Sequence, residues 1–163
     1  MKTPIIVAVL LILVAAAFVW YDISSKNSDQ VVTPNGQATT TPQTPSATYI
    51  NASSDNITVD TPAPGAVLGS EFTVSGQARG TWYFEASFPV KVLGSNNQVL
   101  VQLPAQATSD WMTENFVPFS VVVKVPNYSG PATLVLEKDN PSGEAKFDAS
   151  VSIPIMIAST TAQ

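Results

Sequence analysis

The 163-residue chain contains no cysteine and no histidine. Without cysteine there is no disulfide, no thiolate metal site and no cysteine nucleophile. Without histidine a Ser-His-Asp triad is excluded, and so is histidine-ligated zinc or iron. Neither absence argues against export, because a domain of ~100 residues buries enough apolar surface to fold without disulfides. Charge is scarce as well, at 12% of residues against about a quarter in an average domain. The net charge is −5, and Arg79, Lys91, Lys124, Lys138 and Lys146 stand singly from residue 79 onward. Nucleic-acid binding needs a concentrated cationic footprint that releases counterions, so that partner class is rejected.

What the chain does have begins with an apolar run. Residues 4–21 carry no charge and include Ile5, Ile6, Val7, Leu10, Leu11, Ile12, Leu13 and Val14. As a helix this run is about 27 Å long at ~1.5 Å per residue, close to the hydrocarbon thickness of a bilayer. Lys2 precedes it, and the amphipathic rings of Trp20 and Tyr21 close it. Positive charge stays on the cytoplasmic side, which predicts a single-pass anchor over residues 1–22 with the remainder outside the cell membrane. The competing reading is a cleaved signal peptide ending at Ala15-Ala16-Ala17. Against it, Phe18, Val19 and Trp20 carry the apolar run past that point. Residues 23–54 are dominated by Ser, Thr, Gln, Asn and Pro, too polar to bury a face, which predicts a disordered stalk open to O-glycosylation.

From residue 55 the pattern changes to period two. Residues 81–92 place Trp82, Phe84, Ala86, Phe88, Val90 and Val92 on one face, with Tyr83, Glu85 and Lys91 on the other. The last strand alternates Ala145, Phe147, Ala149, Val151, Ile153, Ile155 and Ile157 with polar residues and Pro154. Between them lie strands marked by Ile57 and Val59, by Phe72 and Val74, and by Val99, Val101 and Leu103. Two more are marked by Val117 to Val125 and by Ala132, Leu134 and Leu136. Turns are expected at Gly94-Ser95-Asn96-Asn97 and Asn140-Pro141-Ser142-Gly143. About seven strands with no convincing helix predict an all-β, immunoglobulin-like antiparallel sandwich over residues 55–157, followed by a flexible tail over 158–163. Pro89, Pro118 and Pro154 are expected on edge strands or at bulges.

Three strings resemble a known family. They are Ala78-Arg79-Gly80-Thr81-Trp82-Tyr83-Phe84-Glu85-Ala86, then Asp110-Trp111-Met112 with Phe116-Val117-Pro118-Phe119, then Lys138-Asp139-Asn140-Pro141-Ser142-Gly143. In this order they are similar to the immunoglobulin-like domain of bacterial spore germination proteins, the Gmad2 family. The resemblance runs over residues 57–157. It implies an immunoglobulin-like sandwich in a bacterial envelope protein, and it brings no catalytic residue with it. Family members tied to germination commonly carry a separate germination domain, for which this chain leaves no room, so the domain type is what transfers.

Candidate sites follow from side-chain chemistry. Tyr83 and Trp111 offer an aromatic platform for a sugar ring, but the alternation assigns Trp82 and Phe84 to the core, the commoner use of aromatics in sandwiches. Arg79 and Glu85 share the parity of Tyr83 and are expected to form an exposed ion pair of little energetic weight. Glu85, Asp110, Glu114, Glu137 and Asp139 supply carboxylates for hydrolysis, yet nothing fixes a separation between any two. Asp139, Asn140, Ser142 and Glu144 invite a calcium reading, but their spacing lacks the regular alternation of a calcium loop and suits a proline-glycine turn. Asn51, Asn56 and Asn127 head glycosylation sequons. No catalytic residue, metal or cofactor is assigned, and no ligand-binding residue is identified. The expectation is a non-catalytic, membrane-tethered module that presents loops or a sheet face to another envelope component, a protein or a glycan. The alternative is a glycan- or wall-binding module, weakly hydrolytic, built on Tyr83 and Trp111.

Overall fold

Valine, isoleucine and phenylalanine at every second position fit a pleated surface with one buried side, and they form strands here. The computed structural model describes residues 44–159. Nine strands run through them: β1 (Thr48–Ile50), β2 (Ile57–Thr61), β3 (Val67–Leu68), β4 (Glu71–Arg79), β5 (Ser87–Gly94), β6 (Val99–Ala107), β7 (Phe116–Lys124), β8 (Gly130–Glu137) and β9 (Ser150–Ile157). The seven expected strands are β2 and β4 to β9, in that order. Two more were not expected. Strand β1 falls inside the segment assigned to the stalk, so the ordered domain begins before residue 55. Three residues are too few to show a period, and β1 is held by β9 instead, pairing Thr48 with Ser152 and Ile50 with Ser150. Strand β3 pairs with β9 in parallel through Val67 and Met156, so the sheet is not purely antiparallel. Among the described residues no helix is long and apolar enough to cross a membrane. The expected anchor, most of the expected stalk and residues 160–163 lie outside the described residues.

The strands form one hydrogen-bonded path, β1-β9-β8-β5-β6-β7-β4-β2, with β3 attached to β9. This is an all-β, immunoglobulin-like domain made of a curled sheet, in place of two separate sheets. The path curls so that its halves face each other. Phe88 on β5 and Phe119 on β7 are not on neighbouring strands, yet their ring centroids are 5.0 Å apart, edge to face. Around that contact Ile57, Val74, Val90, Val92, Leu134, Leu136, Val151 and Ile153 are buried. Each such side chain contributes on the order of 1.5–3 kcal/mol by leaving water.

The joint between the halves is narrow. Strand β6 pairs with β7 only through Gln106 with Ser120 and Ala107 with Phe119. The reason lies in proline. Pro104 sits opposite Pro89 on β5, and neither has an N–H, so this pair cannot exchange hydrogen bonds. Pro104 therefore turns its bare nitrogen towards β7, and the ladder stops there. The expectation that prolines mark edge strands or bulges holds at Pro89 and Pro154 for the residue and not the strand. It fails at Pro118, which pairs with Gln77 in the unbroken β4–β7 register and whose carbonyl accepts from the Thr108 N–H at 2.9 Å on its other side. Strands β5, β7 and β9 are interior strands. Yet Pro89 precedes Val90, the first β5 residue paired with β8, and Pro154 lies between the stretches of β9 paired with β1 and with β3.

Residues 81–92 are not one strand. Gly80–Trp82 form a 3-10 turn. Phe84 and Ser87 then close a tight turn through mutual backbone bonds of 3.0 and 3.1 Å. The central residues of that turn, Glu85 and Ala86, have φ of 49° and 61°. The register slips across it, and two expectations are corrected. Tyr83 is buried at 4% exposure and Phe84 is outside at 42%. Alternation returns at Phe88 and is then as expected. The last strand shows the same effect more mildly. It starts at Ser150, and Phe147 is exposed in a second 3-10 turn, Ala145–Phe147.

Candidate functional site

Turns at one end of the sandwich meet around a polar groove. The first is the exit of β1, where Asn51 has φ of 51°, a backbone state that asparagine tolerates better than most residues. Its side-chain Nδ2 donates to the Asp148 carbonyl at 2.9 Å, tying β1 to the segment before β9. The second is the Gly80–Trp82 turn. A Cβ on Gly80 would collide with the carbonyl oxygens of Trp111 and Thr113, so only glycine lets the 108–115 connection lie this close. The third is the β8–β9 connection, whose hub is Asn140. Its amide nitrogen donates to the Glu144 carbonyl at 2.9 Å and to Asp148 Oδ1 at 2.7 Å. Its side-chain oxygen accepts from Ser142 Oγ at 2.6 Å.

Two depressions of about 260 and 180 Å³ share Asn51, Lys138, Asp148 and Ala149, which makes them parts of one groove. Glu137 borders one part, but its carboxylate is held by Lys91 Nζ at 2.7 Å. Trp82 borders the other, and its Nε1 is buried with no hydrogen-bond partner among the described residues. Lys146 lies on the rim, its Nζ 4.7 Å from the centre of the exposed Phe147 ring and 2.7 Å from Glu144. Lys138 makes no ion pair among the described residues. The groove thus joins a free ammonium, an amide, a carboxylate and an exposed ring. That mixture suits a polar surface or loop of a partner.

The residues singled out in the sequence are mostly elsewhere. Tyr83 is in the core, and its hydroxyl donates to the Val117 carbonyl at 2.7 Å. Burial pushes that hydroxyl well above the ordinary tyrosine range, with a backbone hydrogen bond from Ala78 partly offsetting it. Trp111 is half-buried against the core cluster, so Tyr83 and Trp111 do not form a platform. Arg79 and Glu85 are not paired. The Arg79 guanidinium lies 4.1 Å over the Phe116 ring, and its Nε donates to the Asp55 carbonyl at 2.9 Å. Glu85 is carried away by the left-handed turn. Among the described residues no three acidic side chains gather as a metal site would require, and the hydrogen bonds of Asn140 account for the turn residues. Asn51, Asn56 and Asn127 are all exposed, though the Asn51 amide is already engaged. Of the groove residues, the sequence singled out Asn51 as a sequon, Glu137 as a carboxylate, and Trp82 and Lys138 within the family strings, but nothing in it brought them together. Nothing in the spacing of Lys138 or Asp148 points to Asn51, about 90 residues upstream, because β-sheet neighbours are set by pairing and not by proximity along the chain.

A search among curated proteins gave no match. A family model described as the immunoglobulin-like domain of bacterial spore germination matches residues 56–145. The matched stretch opens at β2, closes in the turn before β9, and covers more than half of the chain. The three strings that carry the resemblance all fall inside it, at the Gly80–Trp82 turn, at the connection that packs on Gly80, and at the Asn140 turn. The chain belongs to the Gmad2 family of immunoglobulin-like domains.

Proposed function

We propose that this protein is a membrane-tethered, non-catalytic interaction module of a bacterial envelope, presenting the groove around Asn51, Lys138 and Asp148 to another envelope protein. Membership of the Gmad2 family is the observation that carries the reading. The uncharged run over residues 4–21 behind Lys2 and the polar stretch after it supply the tether. The glycan-binding alternative loses support, because Tyr83 is buried and Trp111 packs on the core.

Two experiments test the parts separately. For the tether, the full chain stays with membranes after an alkaline carbonate wash, and protease added to intact cells or spheroplasts releases a resistant domain. A soluble mature form beginning near Phe18 contradicts it. For the module, the full chain with Lys138→Glu, whose side chain makes no ion pair among the described residues, loses the envelope partner that the unaltered chain retains in a pull-down, while melting at the same temperature. Retention of every partner by that variant removes the groove from the proposal.

A further inference from the structure

An open sheet edge offers unpaired N–H and C=O groups to any strand that reaches it, and proteins protect such edges by several devices. Most edges of this domain are protected. Strand β1 has three residues and β3 has two. Strand β2 carries Asp60 at an irregularity between Val59 and Thr61. The free stretch of β7 ends at Lys124, paired with Glu71 at 2.9 Å. Strand β6 has one irregularity, at Leu100, where its register with β5 shifts between Val101 and Val99, but the rest of its edge is open. From Val99 to Ala105 its side away from β5 has no strand partner among the described residues. Residues 92–109 contain no charge at all, and Val99-Leu100-Val101-Gln102-Leu103 combines β-branched and aliphatic residues.

The direction of the free groups follows from the proline pair. Since Pro89 and Pro104 exchange no hydrogen bonds, the pairs on either side of them do, and the types alternate along the ladder. Leu103 therefore points its polar backbone groups at Val90, whereas Gln102, opposite Lys91, points its N–H and C=O outward. Gln106 has the same parity as Gln102, and it is the residue that pairs with Ser120 on β7.

We propose that β6 pairs antiparallel with β6 of a second copy of this chain, about a two-fold axis through Gln102. In that register the two Gln102 residues exchange both backbone hydrogen bonds. Val101 of each copy lies opposite Leu103 of the other, on the side that continues the core face. The regular pairing ends on either side of these residues, because the register of β6 shifts at Leu100 and Pro104 has no N–H to give. An antiparallel strand paired with itself brings the residues nearest the two-fold axis close to their own copies, where a charge would meet a like charge, and this edge carries none. A charged partner strand would instead lay its charges along an aliphatic strip with no counter-charge. The inference concerns the edge of β6, so it stands whichever partner takes the groove.

The lack of cysteine makes the test clean. In the full chain, in its own membrane, Gln102→Cys is the only thiol, on an exposed side chain. Across the two-fold axis the Cα atoms come to about 5.5 Å, a separation that a disulfide spans. Gln98→Cys is also exposed, but in this register its two copies lie roughly 27 Å apart, eight residues at ~3.4 Å each. Mild oxidation is expected to give a reducible dimer from Gln102→Cys and none from Gln98→Cys. The unaltered chain in mild detergent is expected to sediment as a dimer. Equal cross-linking at the two positions, capture of the Gln102→Cys thiol on a different protein, or a monomer by sedimentation at every concentration reached each overturns the proposal.

Discussion

Residues 80–87 and residues 151–157 carry nearly the same apolar alternation, and the chain folds them differently. In the second stretch every odd position is buried and β8 pairs with it throughout, from Gly130 with Ile157 to Glu137 with Ser150. In the first, a 3-10 turn and a left-handed two-residue turn occupy the span where a strand was expected. Alternation records which residues are apolar, and a turn that reverses the register can use the same residues. What separates the two stretches is glycine. Gly80 stands at the start of the first, and the 108–115 connection packs where its Cβ would be. No glycine interrupts the second.

The largest effect is therefore expected at Gly80. Gly80→Ala drives a methyl group into two backbone carbonyls, so the connection must move and the Trp82 side of the groove with it. A loss of several kcal/mol is expected, at the upper end for single substitutions, visible as a large drop in the denaturant midpoint. A mild loss would mean that the close packing at this turn does not matter. Phe88→Ala comes next, since the ring sits between Trp82, Tyr83 and Phe119. The expected cost is about 3–5 kcal/mol, from lost burial plus the cavity left behind.

Tyr83→Phe sharpens the comparison more finely. It leaves the ring in place and deprives the Val117 carbonyl of its donor, at an expected cost of ~1–3 kcal/mol. Its pH dependence has a definite sign. Burial raises the hydroxyl above its ordinary value of 10.0, so above that pH the unfolded chain gives up this proton while the folded domain keeps it. The contribution of Tyr83 is complete below about pH 10 and is lost as pH rises further. Alkaline titration of stability should fall more steeply for the unaltered chain than for Tyr83→Phe, and parallel curves would contradict the buried position. The smallest effect is expected at Ala86, whose φ of 61° suits glycine better than alanine. Ala86→Gly should be neutral or stabilising, within about 1 kcal/mol. In a straight strand it would destabilise.

The strands were legible wherever a buried face repeats often enough to declare itself, as in Phe72 with Val74 or Val151 to Ile157. Strands β1 and β3 were not, because two or three residues show no period and both are held by partners far along the chain. The groove was barely legible for a related reason. Asn51, Trp82, Lys138 and Asp148 meet only because β1, the Gly80 turn and the β8–β9 connection end at the same place. The single-path sheet was hidden too. Pro104 and Pro89 are each ordinary in sequence, and only their pairing shows why β6 leaves β7 so soon.

The register break is tested most directly by urea denaturation of Tyr83→Ala beside Phe84→Ala. With Tyr83 in the core and Phe84 on the surface, Tyr83→Ala should cost about 3–5 kcal/mol and Phe84→Ala no more than about 1 kcal/mol. The reverse order would restore an unbroken strand through residue 84, return Tyr83 to the outer face, and contradict the turn that builds this end of the groove.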